Sequence, residues 1–217
     1  MAITLDGTTG ISSVDGSAAS PSVRGSDSNS GILYSADAIK FSTGGTQRAI
    51  IDNNGLSSAG HIIQVVQTYK TDTFSAALDQ AVESGDITGL TASITPASSS
   101  NKILVMFDVA TGNSASSRLG ITLYKAGSTL TASTGDASGS TTRFTAYGST
   151  TADDRHWGIS GKYLDTAGGT SSITYSLRMR HGNGSSNTVY VNRPGNMYNE
   201  NYGMKAASNI TLMEVAV

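Results

Sequence analysis

The sequence predicts an all-β protein: a short N-terminal segment of paired strands, followed by an antiparallel β-sandwich of the jelly-roll type. Two observations favour this fold class. Apolar runs of strand length recur along the chain, and clusters of Gly, Ser, Thr and Asn separate them. Only residues 75–84 have a composition that suits a helix of two or three turns, and a loop fits them equally well.

The composition excludes several classes of function. With 14 Lys+Arg against 16 Asp+Glu and no basic run, the chain has little charge with which to neutralise phosphates, so no nucleic-acid partner is expected. No apolar stretch reaches the roughly 18 residues typical of a membrane-spanning helix, so no membrane insertion is expected. The absence of Cys excludes disulfides and thiolate chemistry. A chain with 33 Ser, 26 Thr and 25 Gly but only 14% charged residues suits structural and binding proteins better than enzymes.

Residues 1–60 contain too few apolar side chains to form a core of their own. Their apolar runs are short, at residues 32–34, 39–41 and 49–51, and turn signals separate them. A segment of this size usually needs disulfides, metals or partner chains to fold. We therefore expect residues 1–60 to acquire a core by association with other copies of the chain. The alternative is that residues 1–30 are a disordered leader.

Residues 61–217 have the strand pattern of a separate domain, joined to the first segment by a flexible joint at residues 56–60. Residues 103–109 form an apolar run typical of a buried central strand. Residues 87–95 and 119–124 alternate apolar and polar side chains, as half-buried strands do. The other predicted strands cover residues 62–69, 142–147, 156–164, 172–179, 188–192 and 209–217. Strands at this spacing, with turn residues between them, predict a jelly-roll-like sandwich.

No pattern in the sequence indicates catalysis, a metal site or a cofactor. The three histidines, His61, His156 and His181, lack partners at zinc-site spacing. The run Asp-Asp-Arg-His at residues 153–156 follows a Ser/Thr-rich stretch and is typical of a solvated loop. No Gly-x-Ser-x-Gly elbow occurs. We expect no enzymatic activity, no metal ion and no cofactor.

Aromatic residues beside polar ones make saccharide recognition the most reasonable binding hypothesis. Trp157 lies next to His156, and Tyr198 and Tyr202 flank the polar residues 199–201. An aromatic ring stacks on the C–H face of a sugar while amides and carboxylates bind its hydroxyls. These four aromatic residues are the predicted receptor or glycan contacts. The alternative is that Trp157 packs in the sandwich core and the tyrosines pack at an interface between copies.

Two stretches carry a resemblance to a known family. Residues 20–32 begin Ser-Pro-Ser and end Asp-Ser-Asn-Ser-Gly-Ile, and residues 39–55 contain Ser-Thr-Gly-Gly-Thr-Gln-Arg and Ile-Asp-Asn-Asn-Gly. Together they resemble a segment widespread in tail-fibre and other appendage proteins of tailed bacteriophages. Residues 1–10 resemble the start of such proteins in marine phages. From residue 65 to residue 214 the chain resembles a C-terminal domain of marine phage virion proteins.

The resemblance implies a homotrimer. In such fibres three parallel chains intertwine their short strands into a shaft, and residues 1–60 would form this anchoring segment. The residues implied to make contacts between chains are Arg24, Ile32, Phe41, Arg48 and Ile50. Asp27 and Asp52 are candidate partners for the two arginines, in ion pairs between chains or in turn hydrogen bonds. The alternative is that each Arg is a solvated surface residue.

The resemblance also implies a role and a location. It points to a virion structural protein, a small trimeric fibre that attaches to the host surface by binding a glycan. Its partners would be two identical chains, other virion proteins bound through the N-terminal segment, and the host glycan. It would belong to the virion, assembled in the cytoplasm of the bacterial host. The alternative is a head or neck fibre, or a capsid decoration protein that stabilises the virion without binding a receptor.

Overall fold

The computed structural model describes residues 15–53, 55–199 and 203–217 and shows an all-β chain, as the sequence predicts. It contains two compact units. The first comprises residues up to Ile63 together with Val215–Val217, and the second comprises Gln64–Glu214. The return of the last three residues to the first unit is a feature that a division at residue 60 does not anticipate. None of the described residues belongs to a helix of the length and hydrophobicity needed to cross a membrane.

The first unit is built on one antiparallel sheet whose strands pair in chain order. Its strands are β1 (Val23–Arg24), β2 (Gly31–Ser35), β3 (Ala38–Thr43), β4 (Thr46–Asp52) and β5 (Gly55–Ser58). Gly44 and Gly45 both have positive φ, 57° and 73°, which makes the β3–β4 connection a two-residue hairpin turn. Leu33 is the one large apolar side chain of β1–β5 that is buried. This sheet therefore has almost no core of its own.

One face of this sheet is apolar and exposed. The register places Ile32 opposite Phe41 and Tyr34 opposite Ile39, and opposite residues of paired strands project from the same face. Ile39 lies in turn opposite Ile51. We call this surface the apolar face; its members are Val23, Ile32, Tyr34, Ile39, Phe41, Ile51 and Leu56. All but Ile32 are between 37% and 53% exposed.

The second unit is an antiparallel sandwich of two sheets. Its strands are β6 (Ile62–Lys70), β7 (Phe74–Leu78), β8 (Thr91–Ile94), β9 (Lys102–Asn113), β10 (Ser117–Lys125), β11 (Ser128–Thr129), β12 (Ala146–Thr150), β13 (His156–Thr166), β14 (Ile173–His181), β15 (Asn187–Val191) and β16 (Ser208–Val215), with one 3₁₀ turn at Thr131–Ser133. One sheet has the order β6-β16-β9-β13, and the other has the order β8-β14-β10-β12. This is the strand order of a jelly roll, in which most successive strands alternate between the two sheets. The antiparallel pair β7–β15 extends the β6-β16-β9-β13 sheet, because β15 pairs with the C-terminal end of β9. In the other sheet, β11 pairs with β10.

The candidate helix at residues 75–84 is not formed. Residues Phe74–Leu78 are a strand that pairs with β15, from Phe74 opposite Val191 to Leu78 opposite Asn187. Ala81 then has a φ of 64°, which is incompatible with a right-handed helix. The apolar spacing of this stretch suits both periods, and pairing with β15 decides in favour of the strand.

The core lies between the two sheets and follows the alternation of each strand. On β9, alternate side chains from Ile103 to Val109 are at most 1% exposed. The ring of Phe107 lies over Gly161 on β13, where an added Cβ would come within 2.3 Å of the Phe107 ring. Gly161 therefore makes room for the largest side chain of the central strand.

A buried carboxylate joins three segments at one end of the sandwich. Glu214 on β16 is fully buried and accepts three hydrogen bonds. They come from Gln64 Nε2 on β6 at 2.5 Å, the Ala97 backbone N–H at 2.8 Å and Asn101 Nδ2 at 2.7 Å. Burial of a charge is costly unless donors surround it, so this network ties β6, β16 and the β8–β9 connection to one geometry.

A second polar cluster links the two sheets. Asp165 on β13 accepts a hydrogen bond from the Tyr175 hydroxyl at 2.7 Å. It also forms an ion pair with Lys125 Nζ at 2.6 Å. Tyr175 is fully buried. Burial has the larger effect on the pKa of Tyr175 and raises it well above its usual range. The hydrogen bond to the Asp165 carboxylate raises it further.

We expect Glu214→Ala to lower the free energy of unfolding by about 2 kcal/mol, because the buried Asn101 amide and the part-buried Gln64 and Ala97 donors lose their acceptor. Glu214→Gln keeps one acceptor oxygen and should lie between this variant and the wild type. Urea denaturation measures the difference. Asp136→Ala, which removes an exposed carboxylate, serves as the control and should change stability by less than about 0.5 kcal/mol. Equal stability of the two alanine variants would contradict the assigned role of Glu214.

Stability should fall at high pH because of Tyr175. The folded state keeps this phenol protonated, whereas the unfolded chain loses the proton above about pH 10. The unfolded state then binds fewer protons, so the stabilisation is complete below pH 10 and decreases above it, by up to about 1.4 kcal/mol per pH unit. Chemical denaturation of wild type and Tyr175→Phe between pH 8 and pH 11 tests this. The variant should show the shallower loss, and parallel pH profiles would argue against it.

Candidate functional site

Two of the predicted glycan contacts line one surface cavity of about 470 Å³ in the second unit. His156 is the first residue of β13, and Tyr198 belongs to the connection that follows β15. The structure therefore brings together two residues that are 42 positions apart in the sequence. The described residues that line this cavity are Asp154, Arg155, His156, Pro194, Asn196, Tyr198, Gly203 and Met204.

The charges around the His156 cavity largely neutralise each other. Arg155 Nε lies 3.8 Å from Asp154 Oδ1, and both side chains are exposed enough for solvent to weaken the pair. His156 Nε2 lies 3.2 Å from the Met204 carbonyl oxygen, to which it donates in the tautomer protonated at Nε2. This cavity offers mixed polar groups and one aromatic ring without a strong net charge.

Trp157 does not contribute to that cavity. It follows His156 on β13, and successive strand residues project to opposite faces. Its indole packs against Gly148 on β12, where an added Cβ would lie 2.5 Å from Trp157 Cδ1. The side chain is still 54% exposed, so it occupies the rim of the sandwich and neither the core nor the His156 cavity. The fourth predicted contact, Tyr202, lies outside the described residues.

The predicted contacts between chains do not share one face of the β1–β5 sheet. Ile32 and Phe41 lie on the apolar face, but Ile50 is opposite Lys40 and Ser57 and projects from the other face. The resemblance implies a shared interface for the three residues, but the two-residue period of the strand places Ile50 on the reverse side.

The two arginines of the first unit make hydrogen bonds within their own chain. Arg24 Nη1 donates to the Ser28 carbonyl oxygen at 2.6 Å, and Arg48 Nε donates to Thr43 Oγ1 at 2.9 Å. Asp27 Oδ1 accepts from the Asn29 backbone N–H at 3.1 Å. Hydrogen bonds from the Ser30 side chain and the Asn29 backbone lower the pKa of Asp27. The structure thus supplies the turn hydrogen bonds that the sequence offered as one alternative for Arg24 and Asp27.

A second cavity of about 470 Å³ has a set of lining residues that no local pattern in the sequence indicates. It lies on the outer face of the β12-β10-β14 sheet. Tyr147 on β12, Gly120 on β10 and Arg180 on β14 form one row across the three strands, and Arg118 precedes Gly120 on the same face. We call this the arginine cavity; its lining is Gln80, Ala81, Arg118, Leu119, Gly120, Thr141, Thr142, Phe144, Tyr147, Arg180, His181, Gly182 and Asn183.

His181 has a structural role at the edge of the arginine cavity. Its ring is 2% exposed, with Nε2 3.1 Å from the Leu78 carbonyl oxygen and Nδ1 accepting from the Asn183 backbone N–H at 3.2 Å. These two contacts require the tautomer protonated at Nε2. Among the described residues, no group of three His, Asp or Glu side chains is placed to hold a metal ion.

We expect Gly148→Ala to displace the indole of Trp157, because the new methyl group would occupy the space of Cδ1. Trp157 is the one Trp of the chain, so emission excited at the long-wavelength edge of the absorption band, where Tyr does not absorb, reports on it alone. The emission maximum should shift to longer wavelength as water reaches the ring. The matched control is Gly158→Ala. Gly158 follows Trp157 on β13 and has open space for a Cβ, so this variant should leave the spectrum unchanged. Identical spectra for both variants would contradict the packing.

The comparisons with known proteins leave the assignment to the geometry. No protein-family model matches the chain, and no curated protein matches it. Among solved structures, a chain in the structure of the infectious bursal disease virus Gx strain is similar, with 14% sequence identity and a TM-score of 0.36. The match covers 76% of this chain and 42% of that chain, so this chain spans less than half of the viral chain's length. A likeness at this TM-score carries no argument about function.

Proposed function

We propose that the chain is a virion structural protein, a small fibre that associates as a homotrimer through its first unit and attaches to the host surface through its sandwich. The observation that carries the proposal is the apolar face of the first sheet. The resemblance of residues 20–32 and 39–55 to tail-fibre segments supports the same assignment. It also supports a place in the virion, assembled in the bacterial cytoplasm, with the N-terminal segment bound to other virion proteins.

The apolar face needs a second layer. A sheet is stable when one face packs against another element, and contiguous apolar patches of this kind on a soluble protein mark sites of association. Six large apolar side chains are exposed there, whereas Leu33 alone is buried in the sheet. Identical chains supply identical faces, so closed rotational symmetry lets each copy cover another. Three copies around one axis would create the core that one copy lacks.

The sandwich, by contrast, has a complete core and is free to present its surface. Its cavities combine aromatic rings with amide, hydroxyl and charged side chains. A saccharide offers apolar C–H faces and many hydroxyls, and such surfaces match both. We therefore assign host attachment to the second unit and assembly to the first, with no enzymatic step in either.

Sedimentation equilibrium tests the assembly. The wild type should have three times the mass of the 22.2 kDa chain. Replacing two residues of the apolar face, Ile39→Ser with Phe41→Ser, removes about 3 kcal/mol of burial per chain and should weaken association at least 100-fold. Lys40→Ser changes the residue between them, on the opposite face, and should leave the trimer intact.

Two outcomes of that experiment would contradict the proposed trimer. One is a wild-type protein that stays monomeric at micromolar concentration, and the other is a double variant that associates like the wild type. Far-ultraviolet circular dichroism checks that the sandwich remains folded in each variant. Because the sandwich core contains neither substituted residue, its stability should not change.

A further inference from the structure

We propose that the arginine cavity binds the anionic group of an acidic saccharide, with the sugar ring lying on its aromatic floor. This inference deepens the proposed host attachment and rests on it. It names the site and the class of ligand: a sugar that carries a carboxylate or a phosphate.

The arginine cavity carries positive charge that no described acidic side chain balances. Arg118 and Arg180 both line the cavity, and no described residue that lines it is acidic. Among the residues that the structure describes, neither guanidinium has an ion pair or hydrogen-bond partner. Arg178, two positions before Arg180 on the same face, shows the contrast: its Nε is 2.6 Å from Asp86 Oδ1, and its guanidinium lies 4.0 Å from the centre of the Tyr124 ring.

The strand register places the two arginine residues diagonally across β10 and β14. On β10 the outer face carries Arg118 and then Gly120, and on β14 it carries Gly182 and Arg180 in the facing positions. Two arginines thus occupy one diagonal and two glycines the other. The Arg118 side chain leans over Gly182, where an added Cβ would come within 3.3 Å of its Nε. Two like charges at diagonal positions, about 7–8 Å apart at their backbones, repel each other, and an anion between them removes that repulsion.

Two aromatic rings form an apolar floor in the arginine cavity. Phe144 lies directly on the backbone of Gly120, and a Cβ there would be 2.2 Å from Phe144 Cδ1. Tyr147 stands beside it and is 70% exposed. A free phosphate or chloride has no apolar surface to bury against two aromatic rings, whereas the C–H face of a sugar ring packs on them. Floor and charge together therefore fit an anionic sugar better than a bare anion.

The rim supplies groups for hydroxyls and is held in place. Asn183, Thr141, Thr142 and Gln80 offer amide and hydroxyl groups around the opening. His181 Nδ1 accepts a hydrogen bond from the Asn183 backbone N–H. The Gly182 backbone N–H donates to the Arg118 carbonyl oxygen at 2.8 Å. These bonds fix the turn after β14, so little ordering is needed on binding. The His156 cavity, whose Arg155 already faces Asp154, lacks this unpaired charge.

The test is a calorimetric titration of the full chain with three probes: a galacturonic acid oligosaccharide, glucose 1-phosphate and a neutral glucose oligosaccharide. The wild type should bind at least one of the two charged probes, and the affinity should fall as salt rises. The double variant Arg118→Gln with Arg180→Gln should bind it at least tenfold more weakly, and Tyr147→Ala severalfold more weakly. Arg143→Gln removes an exposed Arg that does not line the cavity and should bind like the wild type.

The outcomes are decisive in both directions. Tighter binding of the oligosaccharide identifies a carboxylate as the anionic group, and tighter binding of the sugar phosphate identifies a phosphate. No binding of either charged probe, or equal binding by wild type and double variant, overturns the inference. A trimer that binds neither charged probe would overturn the cavity assignment alone. A monomer that binds a charged probe through these arginines would overturn the proposed assembly alone.

Discussion

Burial of one face of every sheet is the constraint on which the rest of this structure depends. The jelly roll satisfies it internally, because its two sheets cover each other and alternate side chains of β9 and β14 fill the space between them. Within the described part of the chain, no second sheet covers the apolar face of β1–β5. One chain thus combines a unit whose sheets cover each other with a unit whose apolar face is exposed, and the proposed division between attachment and assembly rests on that difference.

Strand register connects this constraint to the surface chemistry. Because Leu119, Ile121 and Met179 must face the core, Arg118, Gly120 and Arg180 must face outward. A shift of one residue between β10 and β14 would bury the guanidinium groups and expose the core. The packing that stabilises the sandwich is therefore also what aligns the arginine cavity, and the two cannot vary independently.

The sequence predicts the fold well and the sites only in part. Alternation and turn residues suffice for the all-β class and for the buried strand at residues 103–109, because these depend on local periodicity. The stretch at residues 75–84 has an ambiguous period, and only its distant partner β15 decides it. Arg118 and Arg180 are 62 positions apart, so no local pattern reveals that they meet. The chemistry of His156 and Tyr198 makes them candidates, and the fold places them in one cavity, whereas the side chain of the neighbouring Trp157 lies outside it.

The return of the C-terminal residues to the first unit has a consequence for biosynthesis. The backbone N–H of Gly60 donates to the Ala216 carbonyl oxygen, and the Ala216 N–H donates to the His61 carbonyl oxygen. The unit that begins the chain therefore cannot be completed until residue 216 has been made. Translation of Gln64–Glu214 takes roughly ten to thirty seconds at ordinary elongation rates. The sandwich depends on the same late residues, because β16 lies between β6 and β9 in its sheet. Both units are therefore completed only after the strand Ser208–Val215 has been made.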